Sequence, residues 1–113
     1  MARFRKDMPP DLRTRESRRG PRTNARVPIS VEWQDDGGSR QNGSGYTCVL
    51  NGYGCLLVLP HNLPLEHRLR VTNMTNQRSL VGVVVWKGKE RVEGWELALE
   101  LVDPDMDFWG LEL

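Results

Sequence analysis

Strict two-residue alternation, restarted several times within one short chain, is the feature that most limits what this sequence can fold into. Val27, Ile29, Val31 and Trp33 fall on one side of an extended segment, with Pro28, Ser30 and Glu32 on the other. That is the period of a half-buried strand. Further strands are expected over roughly 46–50, 54–59, 68–74, 80–86 and 95–101, the last with Trp95, Leu97, Leu99 and Leu101 on one face and Glu96 and Glu100 on the other. The breaks between them carry turn chemistry. Residues 35–45 form a polar, glycine-rich loop; Asn51-Gly52 reads as a tight turn; Pro60 and Pro64 close the third strand; Lys87–Arg91 reads as a charged turn around Gly88. No stretch shows the period of a long helix.

Six short strands in a chain of 113 residues leave room for one domain. They favour an all-β fold, a small six-stranded antiparallel barrel, because closure removes the exposed edges that invite aggregation. Its core is expected to include Ile29, Val31, Leu56, Val58, Val83, Leu97 and Leu99. The tail Phe108-Trp109-Gly110-Leu111 is too apolar to float free and is expected to plug an open end of the barrel.

Charge divides the chain. Residues 1–26 hold nine Lys/Arg against three Asp/Glu, a net +6, whereas 27–113 hold seven against twelve, a net −5. Residues 1–21 also carry Pro9, Pro10 and Pro21 and no hydrophobic period, so they are expected to be a disordered basic arm ahead of a domain spanning 22–113. Such an arm suits an anionic partner; it equally suits a solvated tail. No apolar run reaches the length of a signal-peptide core or a membrane span, so a cytoplasmic location is the expectation.

Catalytic signatures are lacking. The chain has no nucleophile–His–acid pattern, phosphate-cradling glycine loop or HExxH, and an enzyme is not expected. His61 and His67 lie in a proline-flanked loop without enough companion ligands for a metal. Asp103, Asp105 and Asp107 resemble the start of a calcium loop, but Phe108 stands where the glycine is needed, so a solvated turn is the better reading. No cofactor is implied. Cys48 and Cys55 are expected to face each other across the Asn51-Gly52 turn as a reduced pair. Trp33, Trp86, Trp95 and Trp109 read as core or plug in preference to base-stacking platforms.

The segment Arg22-Thr23-Asn24-Ala25-Arg26 directly precedes the first strand. Two guanidiniums four residues apart, hinged to a barrel, can clamp phosphates and stack on planar bases, or can pair with the acidic body. In order along the chain, Arg22/Arg26, the strand Val27–Trp33, the apolar strand Gly54–Leu59, Val83-Val84-Val85-Trp86, Leu99–Pro104 and the ending Phe108-Trp109 resemble the PilZ domain family. That family opens with RxxxR and continues with a (D/N)xSxxG turn. The resemblance implies a split six-stranded barrel that binds cyclic di-GMP, the arginines holding phosphates and guanines and the second motif contacting a guanine. Carried over by position, the ligand-binding residues are Arg22, Arg26, Asn51 and Gly54, grouped at the mouth of the barrel, with the arginines mobile until ligand arrives. Val49 stands where the family has Asp or Asn, and Asn51 where it has Ser. Valine offers no hydrogen bond to a base; Asn51 keeps a donor and an acceptor.

Three functions follow from these residues. The first is a cyclic di-GMP receptor whose ligand changes its affinity for a protein partner as yet unknown. The second is a PilZ-like adaptor that has lost nucleotide binding. The third is a small nucleic-acid-binding barrel, which the acidic body disfavours.

Overall fold

A computed structural model describes residues 22–105 and 107–110, and these are all-β. The strands are β1 (Thr23–Asn24), β2 (Pro28–Gln34), β3 (Arg40–Asn51), β4 (Gly54–Leu59), β5 (Arg68–Asn73), β6 (Arg78–Arg91) and β7 (Gly94–Leu101). Neighbours run in the order β1-β3-β2-β5-β6-β7-β4, and β3 also pairs with β4, which closes β2–β7 into a six-stranded barrel with every pairing antiparallel. β1 is an extra two-residue strand. The basic arm expected over 1–21 lies outside the described residues.

Alternation along each strand fills the barrel. Ile29, Val31, Leu50, Leu57, Leu59, Val71, Val84 and Leu97 are all buried in one cluster, together with Phe108 and Trp109. Phe108 and Trp109 of the expected plug are therefore in the core, while Leu111 lies outside the described residues. The two rings meet edge to face, 4.7 Å between centroids, a favoured geometry for an aromatic pair. Their approach is held by the β5–β6 turn. Buried Asn73 and its neighbour Asn76 both donate side-chain N–H groups to the Phe108 carbonyl, and Arg78 pairs with Asp105. The aspartates at 103–107 thus form a turn, in which Asp105 Oδ1 accepts the Asp107 N–H. Among the described residues no cluster of three or more His, Cys, Asp or Glu is placed to hold a metal.

Five expectations need correction. Residues 40–45 are not loop: they extend β3, pairing with β2 from Ile29↔Gly45 to Gln34↔Arg40. Polar and glycine composition hid this half of the strand. Lys87–Arg91 is likewise strand and not turn; β6 runs on to Arg91 and the turn falls at Val92-Glu93. Leu56, Val58 and Val83 belong to the outer face, where Leu56 and Val83 pack with Val85, Trp86 and Ala98 and Val58 lies between Tyr46 and Glu96, while Cys55, Leu57 and Val84 take the core positions. Both runs are apolar at consecutive positions, so alternation could not fix their phase. Cys55 faces Leu50, not Cys48, because the turn falls one residue later than expected, and a bulge between Thr47 and Val49 leaves Cys48 without a ladder partner. Both cysteines are free thiols. Finally, the β3–β4 turn is centred on Gly52-Tyr53, one residue later than Asn51-Gly52, with Asn51 paired to Gly54.

Candidate functional site

The segment that carries Arg22 and Arg26 lies along β3. Thr23 pairs with Leu50 and Asn24 with Val49, while β4 flanks the same two residues on the other side through Cys55 and Leu56. Continued by one residue, this register sets Arg22 against Asn51. The first motif is therefore the strand neighbour of the second, although 27 positions of chain separate Asn24 from Asn51.

Thr47 fixes this arrangement. It is buried within β3, and its hydroxyl accepts the Val27 N–H at 2.8 Å while donating to the Ala25 carbonyl at 2.7 Å. Its own N–H donates to the Val27 carbonyl and the Ala25 N–H donates to the Cys48 carbonyl. Between β1 and β2 the backbone leaves the ladder for three residues, and one threonine side chain satisfies the groups this exposes, as buried backbone requires. The sequence reading passed over Thr47. A hydroxyl among apolar neighbours in a strand is the signal that marks it.

Asn51 shapes the turn through its side chain. Its Oδ1 accepts the Tyr53 N–H at 2.7 Å, an Asx-type turn. The positive-φ residues described are Gly38, Glu66, Gln77, Gly94 and Gly110, so this turn uses no left-handed residue. Gly54 is needed for space: a β-carbon there would stand 2.2 Å from the Leu99 carbonyl oxygen of β7. The Asn51 carbonyl accepts the Trp109 indole N–H, and the Tyr53 carbonyl accepts the Leu101 N–H. The turn is thus braced by the plug and by the end of β7.

Arg26 stands elsewhere. Its guanidinium carbon lies 3.7 Å from the centroid of the Tyr46 ring, a cation–π contact. Tyr46 is five residues before Asn51 on β3, so the structure brings Arg22 to the turn and holds Arg26 further along the outer face. Val49 lies half-buried between Asn24 and Leu56. His61 packs edge-on against Trp33, and His67 Nε2 lies 3.1 Å from the Gln34 carbonyl; both have structural roles.

A closed six-stranded antiparallel barrel with an arginine-bearing segment laid beside a braced hairpin turn defines the class, a small all-β barrel. A family model described as PilZ domain matches residues 13–109, and the chain belongs to the PilZ domain family. No curated protein and no solved structure shows a significant match. Among the described residues, no helix is long and apolar enough to cross a membrane.

Proposed function

We propose that this protein is a non-enzymatic cyclic di-GMP receptor of the cytoplasm, with Arg22 and Arg26 taking the ligand's phosphates and guanines against the turn that carries Asn51 and Gly54. The reading is supported above all by the β1–β3 ladder, which makes the RxxxR segment a direct neighbour of that turn. Ligand capture draws Arg26 off Tyr46 and orders both arginines around one dianionic molecule; the altered surface is then what a protein partner reads. The test is calorimetric titration of the full chain with cyclic di-GMP at low and physiological salt. Saturable binding that Arg26→Ala weakens about ten- to a hundred-fold supports the receptor; no heat at hundreds of micromolar ligand refutes it.

A second reading, an adaptor that binds only protein, draws on one observation. The Oδ1 acceptor of Asn51 is already engaged by Tyr53, and Val49 offers no polar atom, so the turn has less to give a guanine than the family motif. Under this reading Arg26→Ala leaves nucleotide titrations blank and alters only partner capture.

A further inference from the structure

On the outer face of the barrel a row of side chains crosses three strands. Tyr46 on β3 pairs with Val58 on β4, and Val58 pairs with Glu96 on β7. One end of this row carries Arg26, stacked on Tyr46. The other end carries Arg91, which donates through Nε to Glu96 Oε2 at 2.7 Å and lies at the same distance through its terminal nitrogen. Two strand spacings separate Tyr46 from Glu96, about 10 Å.

Glu96 is a built support for Arg91. It is a carboxylate only 8% exposed on a barrel face. The bulge between Lys87 and Glu90 in β6 wraps its head. Its Oε1 lies 2.4 Å from where a β-carbon at Gly88 would be, so a larger residue there would push the carboxylate out of its present position. A buried anion of this kind is costly unless paired, and Arg91 is the ion-pair partner. The pair holds a long, otherwise floppy guanidinium in one orientation using two of its five donors. Burial pushes up the thiol of half-buried Cys48 on the same strand as Tyr46; the charges of Arg91 and Arg26 act against that rise and those of Glu96 and Glu93 add to it. The two guanidiniums thus sit at opposite ends of the Tyr46–Val58–Glu96 row, Arg26 on Tyr46 and Arg91 on Glu96.

We infer that Arg91 is a third ligand-contacting arginine, aimed by Glu96 at the O6/N7 edge of a guanine that lies across the Tyr46–Val58–Glu96 row. The inference rests on the receptor reading above and adds a specificity residue to it. A planar guanidinium fork matches the two acceptors of that guanine edge. It also supplies, from the β6–β7 hairpin, a base contact that Val49 cannot make from the turn.

The experiment is a double cycle in which the full chain and its Arg91→Ala variant are titrated with cyclic di-GMP and with its 7-deazaguanine analogue, which lacks N7. Arg91→Ala is expected to lower affinity for cyclic di-GMP about tenfold, the lower end of what a bidentate pair is worth. The analogue is expected to bind the wild-type chain several-fold more weakly than cyclic di-GMP, and Arg91→Ala no more weakly, because the contact is already gone. Arg91→Lys should resemble Arg91→Ala, since an ammonium lacks the fork. If cyclic di-GMP binds the wild-type chain and Arg91→Ala equally, or if the two losses simply add, Arg91 does not read the base and the inference fails alone. If the wild-type chain binds no cyclic di-GMP, the receptor reading fails and takes the inference with it. Arg91→Ala leaves the buried Glu96 carboxylate without its partner and should lower the melting temperature. Each titration is therefore run well below the variant's own unfolding midpoint. Arg91→Lys, which keeps a cation beside Glu96, separates loss of the fork from loss of stability.

Discussion

Trp109 donates its indole N–H to the backbone carbonyl of Asn51 at 3.1 Å, which makes the end of the chain a support for the turn of the second motif. The ring itself is 2% exposed, and its neighbour Phe108 is fully buried. Truncation after Pro104 removes both and should cost about 3–5 kcal/mol, a large share of the stability of a domain this size. Trp109→Phe isolates the hydrogen bond. It keeps an aromatic plug but strands the Asn51 carbonyl, for a loss of about 1–3 kcal/mol. Urea unfolding followed by circular dichroism measures both. An unchanged midpoint in the truncated chain would show that the tail does not plug the barrel.

Thr47 gives a second stability prediction with a consequence for binding. Thr47→Val preserves shape and strand preference but leaves the Val27 N–H and the Ala25 carbonyl without their side-chain partner. The expected cost is about 2–4 kcal/mol. Thr47→Ser keeps the hydroxyl and should lose only part of this. Because the two bonds anchor the segment between Arg22 and Arg26, Thr47→Val should also speed amide exchange at Ala25 and Val27. Unaltered exchange at both positions would mean the segment is held by the ladder alone.

Gly54→Ala tests a different constraint. The added methyl would meet the Leu99 backbone carbonyl oxygen at 2.2 Å, an atom fixed in the β4–β7 ladder that cannot swing aside as a side chain could. Overpacking of this kind costs about 1–3 kcal/mol. The β4–β7 ladder should open locally at Gly54↔Glu100, visible as lost exchange protection there. Wild-type protection in this variant would show that the two strands can separate freely.

What the sequence disclosed, and what it hid, follows from how each residue earns its position. Ile29, Val31, Leu97 and Leu99 announced their faces because polar neighbours alternate with them. Leu56 and Val83 did not, because β4 and the middle of β6 are apolar on both faces. Residues 40–45 read as loop because nothing in Arg40–Gly45 asks for burial; they are strand because β2 supplies a partner for each. The arginine pair and the second turn were legible as motifs, but their contact is a long-range pairing that no local pattern encodes. Arg26 was expected near Asn51; Tyr46 holds it, through a contact that depends on strand register. The Arg91–Glu96 pair was invisible for the same reason, whereas Thr47 left one local sign, a hydroxyl among apolar neighbours, but not its partners Val27 and Ala25.

The cysteines predict an alkaline limit. Burial pushes the Cys55 thiol well above its ordinary value of 9.0, with the nearby Cys48 adding to the rise. The folded chain then keeps the Cys55 proton at pH values where the unfolded chain releases it. The stability this contributes is fully present below pH 9 and falls as pH rises beyond it, by up to about 1.4 kcal/mol per pH unit. Cys55→Ala is expected to be less stable at neutral pH, through lost packing, yet to decline less steeply between pH 9 and 10.5. Parallel decline of the two chains would assign the alkaline loss to other groups. At neutral pH the half-buried Cys48 should react with a thiol reagent before Cys55 does.

The last prediction concerns Val49, the departure from the family motif that bears most on affinity. Each charge-assisted guanidinium–phosphate contact is worth about 1.5–3 kcal/mol. Ordering a mobile segment consumes about 2–5 kcal/mol of the gross gain, so Arg22 and Arg26 alone cannot hold cyclic di-GMP tightly. The β1–β3 ladder reduces that cost, since Thr23 and Asn24 are already in register, but Arg26 must still leave Tyr46. The turn has to supply base contacts, and Val49, between Asn24 and Leu56, has no polar atom to offer. Val49→Asp places an acceptor one strand position from the arginine segment. It should raise affinity about tenfold, the worth of one charge-assisted bond to a base. Val49→Ala serves as the control, having the smaller side chain without the acceptor. If calorimetry finds Val49→Asp and Val49→Ala alike, the base does not reach this position. If neither they nor the wild-type chain bind at hundreds of micromolar, the barrel works as an adaptor that needs no nucleotide.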